Sequence, residues 1–112
     1  MPEIFTVYAI FASIEQARRI ARTLVEERLA ACANILGPCR SIYRWQGAIE
    51  ESEEVAALFK TRAETAEALL ARLADLHSYD VPAAVVWPIE GALDRYSDWV
   101  RAEATPDDSA LS

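Results

Sequence analysis

Several residue types that carry most protein chemistry are scarce in this chain. There is one histidine, His77, one lysine, Lys60, and two cysteines, Cys32 and Cys39. Structural zinc sites use four nitrogen or sulfur ligands in a recognisable spacing, and no C-x-x-C or H-E-x-x-H pattern occurs. The only glycines are Gly37, Gly47 and Gly91, which excludes the glycine patterns that cradle phosphates or dinucleotides. No Ser/His/Asp arrangement is marked by spacing. No apolar run approaches the roughly 18 residues needed to span a membrane. The apolar stretch from Ile4 to Ala12 follows Glu3 and leads directly into a helix signal, so it reads as a first strand and not as a signal peptide. Positive charge is also short: 11 Lys and Arg against 18 Asp and Glu give a net charge of −7. Such a chain repels phosphate backbones, which argues against nucleic acid as a partner.

What is present is an ordinary globular composition, 53% apolar and 26% charged, on 112 residues. That length suits one domain, read as residues 1–104, followed by a flexible polar tail over 105–112. Ile4 to Phe11 is apolar and partly β-branched and predicts strand one. Ser13 and Gln16 form a capping-box pattern. Ala17, Ile20, Ala21, Leu24 and Val25 follow at helical spacing, predicting a helix over about 14–29. Strand two starts at Cys32, bends or bulges at Gly37-Pro38, and resumes from Arg40 to Trp45. Strand three leaves a Gln46-Gly47 turn and ends near Thr61. Ala66, Leu69, Leu70 and Leu73 make the apolar stripe of a second helix ending near His77, where a cationic side chain suits the helix dipole. Ala83 to Trp87 reads as strand four, covered on both faces. Leu93, Tyr96 and Val100 suggest a last helix reaching Glu103. The order β-α-β-β-α-β predicts an α+β, ferredoxin-like sandwich of four antiparallel strands with both main helices on one face.

The hairpin over 39–62 is longer than a domain of this size can cover. Side chains alternate along a strand, so Tyr43 and Trp45 share one face and Ile42 and Arg44 the other. An isolated two-stranded ribbon is marginal in water. Its tip, with Tyr43, Trp45 and Ile49 as interface residues, therefore predicts an assembly. The sheet face away from the helices, apolar and uncovered, predicts the same.

Few residues offer chemistry. Cys32 reads as a small buried hydrophobe or as a thiolate nucleophile or soft metal ligand. On one extended segment Cys32 and Cys39 lie up to about 23 Å apart, and a disulfide needs Cα atoms within about 7 Å, so two free thiols and a reducing cytoplasm are expected. His77 is a helix-end residue or a ligand for Cu(II) or another divalent cation. Glu50, Glu51, Glu53 and Glu54 lack calcium-loop spacing and read as a solvated arm or as inter-subunit partners for arginines. Tyr79, Pro82, Trp87, Tyr96 and Trp99 predict packing surfaces. The alternative is a shallow pocket between subunits with Lys60 and His77 as its polar members. No activated nucleophile–base pair is visible, so an enzyme is not expected.

Five segments together resemble the CutA divalent-cation-tolerance family: ERLAACANI (27–35), SIYRWQGAIEESEE (41–54), FKT (59–61), H-x-Y-x-x-P (77–82) and the Y-x-x-W of Tyr96 and Trp99. They occur in family order from residue 4 to about 104. The resemblance implies a cytoplasmic homotrimer of ferredoxin-like subunits, linked to tolerance of copper and other divalent metals and similar in architecture to PII signalling trimers. It assigns metal binding to a first-strand cysteine and to histidines ending the second helix. Here those positions hold Ala9, Leu76 and His77, so His77 alone is retained. After Pro82, where the family often has Glu, stands Ala83. Lys60, Tyr79 and Trp99 do match, and the resemblance makes them candidates for an inter-subunit ligand pocket.

Overall fold

A single register, fixed at the hairpin tip, organises the sheet. The computed structural model describes residues 2–107. Gln46 (φ 50°) and Gly47 (φ 85°) both take positive φ, as a two-residue type I′ turn requires. The turn joins β2 (Cys32–Trp45) to β3 (Ala48–Arg62). β1 (Ile4–Phe11) pairs antiparallel with β3 and with β4 (Ala84–Ile89), giving the strand order β2-β3-β1-β4. With α1 (Ile14–Glu26), α2 (Ala66–Leu76) and α3 (Asp94–Glu103), this is the expected α+β ferredoxin-like arrangement with a long β2–β3 hairpin and a C-terminal helix.

Period-two alternation sorts the sheet into two faces. Val7, Ala9 and Phe11 of β1 lie opposite Phe59, Ala57 and Val55 of β3 and pack with Ile20, Leu24, Leu69 and Leu73 into the main core. Phe11 meets Phe59 edge-on at 6.3 Å. The other face carries Ile4, Thr6, Tyr8 and Ile10 beside Arg62, Lys60, Leu58 and Ala56. One end of it is closed by α3, whose Val100 packs with Ile4 and Ala104. Beyond the segment that follows α2 and lies beside Ile10, the remainder of this open face has no cover among the described residues. Tyr8 stacks on Trp87 at 5.4 Å, and Trp87 stays 50% exposed.

Several boundaries differ from expectation for identifiable reasons. α1 stops at Glu26, not 29, because Arg28 takes a left-handed φ of 61° and the N–H groups of Leu29 and Ala30 both turn back to the Leu24 carbonyl. The Arg28 guanidinium then donates to the carbonyls of Ala102 (2.8 Å) and Thr105 (3.0 Å). Ser13 caps α1 by accepting from the Gln16 N–H, while the Gln16 side chain reaches Ala12. β2 runs unbroken through a bulge between Ile35 and Gly37. β4 is an edge strand, not one covered on both faces: Ala84 and Val86 meet the core, whereas Val85 and Trp87 are exposed. Edge position also admits Pro88, which has no N–H to give a second neighbour. The packed body passes the expected boundary at 104. Thr105 Oγ1 accepts from Arg62 at 2.8 Å and donates to the Arg101 carbonyl, and Pro106 is buried. The rest of the proposed tail, 108–112, lies outside the described residues.

Candidate functional site

The turn register decides which hairpin side chains meet. It pairs Trp45 with Ala48, Tyr43 with Glu50, Ser41 with Ser52 and Cys39 with Glu54. Trp45, Tyr43, Ser41 and Glu54 thus share one ribbon face, continuous with the open face of the sheet. Beside them the segment after α2 folds over Ile10. The result is a cleft of about 530 Å³, lined by Ile10, by Ser41, Tyr43, Trp45 and Glu54 of the hairpin, and by Tyr79, Asp80, Val81 and Ala83.

His77 builds the cleft wall. It ends α2 with an extended backbone, and its ring stacks on Phe11 at 5.1 Å and lies 4.7 Å from the Tyr79 ring. The Tyr79 backbone N–H donates to Nδ1 at 3.1 Å. Nε2 lies 2.7 Å from the Ile10 carbonyl, which only accepts, so Nε2 carries the proton. This neutral tautomer pins the loop to β1 and aims the Tyr79 side chain across the cleft. The Tyr79 hydroxyl donates to Glu54 Oε2 at 2.5 Å. Burial, and then the bond to the Glu54 carboxylate, push the phenol of Tyr79 up to about 12. Glu54 is 7% exposed, unlike Glu50, Glu51 and Glu53, so the solvated-arm reading holds for three of the four glutamates.

The metal expectation can be tested on the same geometry. Both nitrogens of His77 are committed, one as donor and one as acceptor, and the residue is 8% exposed. A metal needs a free imidazole lone pair. Among the described residues, no group of three or more His, Cys, Asp and Glu converges in a metal-holding arrangement. The residues therefore do not fit a tight copper site at His77.

The other expected pocket members are dispersed. Tyr79 is in the cleft. Lys60 is on the open face opposite Thr6, its ammonium donating to Asn34 Oδ1 at 3.2 Å. Trp99, on α3, stacks with Tyr96 at 5.9 Å and is 44% exposed. The open-face row from Thr6 to Ile10 separates Lys60 from the cleft by roughly 13 Å. One chain thus does not bring Lys60, Tyr79 and Trp99 together. Cys32 lies next to Lys60 across the ladder, with its thiol 3.5 Å from the Tyr96 hydroxyl. Burial, followed by that contact, pushes the Tyr96 phenol up to about 12. Both cysteines are free and half-buried. The expected interface residues are exposed, Tyr43 at 41%, Trp45 at 45% and Ile49 at 61%. Ile49 pairs with Arg44, however, so it projects from the ribbon face opposite Tyr43 and Trp45.

The CutA1 divalent ion tolerance protein model matches residues 5–103. The chain is 42% identical over 97 residues to the divalent-cation tolerance protein CutA of Pyrococcus horikoshii, covering 87% of this chain and 94% of that one. It is 48% identical over 89 residues to the protein of the same name from Thermus thermophilus, covering 80% of this chain and 86% of that one. The fold superposes on the crystal structure of CutA from Xylella fastidiosa with a TM-score of 0.89 at 36% identity, over 92% of this chain and 99% of the other. The chain therefore belongs to the CutA1 divalent ion tolerance family.

Proposed function

We propose that this chain works as a homotrimer, and that its part in divalent-cation tolerance is played by binding and assembly, not by catalysis. The observation that carries this reading is the apolar surface a single chain leaves uncovered. Tyr8, Val85 and Trp87 on the sheet continue into Tyr43 and Trp45 on the ribbon, while Ile42 and Ile49 stand on the ribbon's other face. A monomer rarely leaves so large an apolar patch in water, and a free ribbon is marginal alone. The uncovered face supports an assembly, and the family resemblance supports the number three. The free thiols of Cys32 and Cys39 support a reducing compartment, the cytoplasm. Cu(II) or another divalent cation is the ion class concerned, but the commitment of His77 to Ile10 and Tyr79 favours an effect exerted without a tight site there.

Native mass spectrometry on chelator-treated protein, before and after one equivalent of Cu(II) per chain, tests this. The expected species is a trimer without specifically retained copper. A monomer at micromolar concentration refutes the assembly, and one copper held per chain refutes the account of His77. A second reading, a PII-like regulator binding a small ligand between subunits, is favoured by the aromatic-walled cleft of about 530 Å³. Thermal-shift screening with small metabolites checks it, and stabilisation by none of them counts against it.

A further inference from the structure

Glu54 is a buried carboxylate without a counter-ion among the described residues. The residue is 7% exposed, and its only protein donor among the described residues is the Tyr79 hydroxyl. No Lys or Arg lies within ion-pair reach of it among the described residues. A carboxylate taken out of water costs several kcal/mol unless a cation and further hydrogen bonds compensate it. Among the described residues no side chain lining the cleft is cationic; Asp80 adds a second negative charge, and Tyr43, Trp45 and Tyr79 are aromatic, a residue class whose rings attract cations. The cleft is thus built for a positive group that the described residues of one chain do not supply.

Lys60 is the complementary case. It is half-buried on the open face, and among the described residues its ammonium meets only the neutral Asn34 amide. Six arginines already have carboxylate partners. Of the remaining cations, Arg18 and Arg19 lie on α1, Arg95 on α3, and Arg44 on the ribbon face opposite Tyr43 and Trp45. Lys60 alone stands on a strand of the open face. It is six positions from Glu54 along β3, a separation of roughly 20 Å, so the two cannot pair within one chain.

We infer that the Glu54 carboxylate is neutralised by Lys60 of the partner subunit, each chain giving its lysine to one neighbour's cleft and receiving another's. The pairing joins two different patches of the same face and is heterologous, the kind of contact that closes a ring. It rests on the proposed trimer and adds the residue pair that sets its register.

A double-mutant cycle with Glu54→Gln and Lys60→Gln, followed by trimer dissociation on dilution, tests the pairing. Each single change is expected to weaken the trimer about tenfold or more, and the double change to weaken it little further, because the first already removes the interaction. Circular dichroism of each variant separates lost assembly from lost folding. Lys60→Met, which keeps the stem, should behave like Lys60→Gln. Lys60 is also the only lysine, so carbodiimide coupling of the intact trimer should yield one inter-chain peptide pair joining it to Glu54. Additive single effects, or coupling of Lys60 to a different carboxylate, overturn the pairing and leave the trimer standing. A wild-type chain that is monomeric throughout overturns both. A trimer indifferent to Lys60→Gln but stabilised by methylguanidinium shows that the cleft takes a small cation instead, and also overturns the pairing.

Discussion

Replacing Tyr79 by Phe removes one oxygen and leaves the rest of its setting in place. The ring keeps its 4.7 Å packing on His77, and the backbone N–H keeps its 3.1 Å bond to Nδ1. What disappears is the 2.5 Å bond to Glu54, a carboxylate 7% exposed with no other protein donor among the described residues. A hydrogen bond to a charged group contributes about 1.5–3 kcal/mol, and the open side of the cleft lets water recover part of it, so a loss of about 2 kcal/mol is expected. Reversible urea unfolding followed by tryptophan fluorescence, at one fixed chain concentration because assembly shifts apparent stability, measures the difference. The difference should also depend on pH. The folded phenol titrates at about 12, above its ordinary 10.0, so its contribution is whole below pH 10 and is lost as pH rises through about 12. The gap between wild type and Tyr79→Phe should therefore narrow over that window. A loss under about 0.5 kcal/mol at neutral pH would refute the reasoning, since it would put the bond below the range for neutral hydrogen bonds. A gap unchanged through the alkaline window would refute the raised titration of a phenol held first by burial and then by this bond.

Further outcomes follow from other parts of the fold. Phe59→Ala, at a fully buried side chain in edge contact with Phe11, should cost about 3–5 kcal/mol in the same unfolding assay. Trp45→Ala should lower the trimer's resistance to dilution more than it lowers the helical signal of the chain; unchanged trimer mass and melting temperature would show that Trp45 is not an interface anchor. Glu27→Gln removes a bidentate contact with Arg72 at 2.9 and 2.8 Å and should cause a modest loss of stability at neutral pH. The Arg72 bond holds the Glu27 carboxyl below its ordinary 4.5, so its contribution is present above that value and lost as pH falls through the lower folded one. The variant and wild type should converge in acid.

Elements with a strong period were legible in the sequence. The stripe Ala17, Ile20, Leu24 gave α1 its buried side, and Gln46-Gly47 gave the hairpin its turn. The end of α1 was not legible, because Arg28 occupies a left-handed position usually held by glycine and is kept there by bonds to residues more than seventy positions away. The capture of His77 by the Ile10 carbonyl is likewise a long-range event with no local signature. Glu54 is a different case. Once the turn is set at 46–47, counting outward places residue 54 opposite residue 39, on the same face as Tyr43 and Trp45. The signal was available, and the run of four glutamates hid it by suggesting one uniform, wet surface. The dispersal of Lys60, Tyr79 and Trp99 was beyond the sequence because β4 and α3 pack by tertiary choice, closing only one end of the open face.

The bulge between Ile35 and Gly37 acts as a phase shifter. Upstream of it, even-numbered residues of β2, Cys32 and Asn34, share the face of Lys60 and Leu58; downstream, odd-numbered ones, from Cys39 to Trp45, share the face of Glu54. Leu36 is the extra residue, without a partner on β3, so deleting it would remove the bulge and leave Tyr43 opposite Glu50 and Trp45 opposite Ala48, still on the face of Glu54. The bulge therefore absorbs the loss of one residue from β2. What sets the aromatic face is the pairing with β3 counted from the Gln46-Gly47 turn, so this register, and not the length of β2, is what selection on the assembly would have to hold constant.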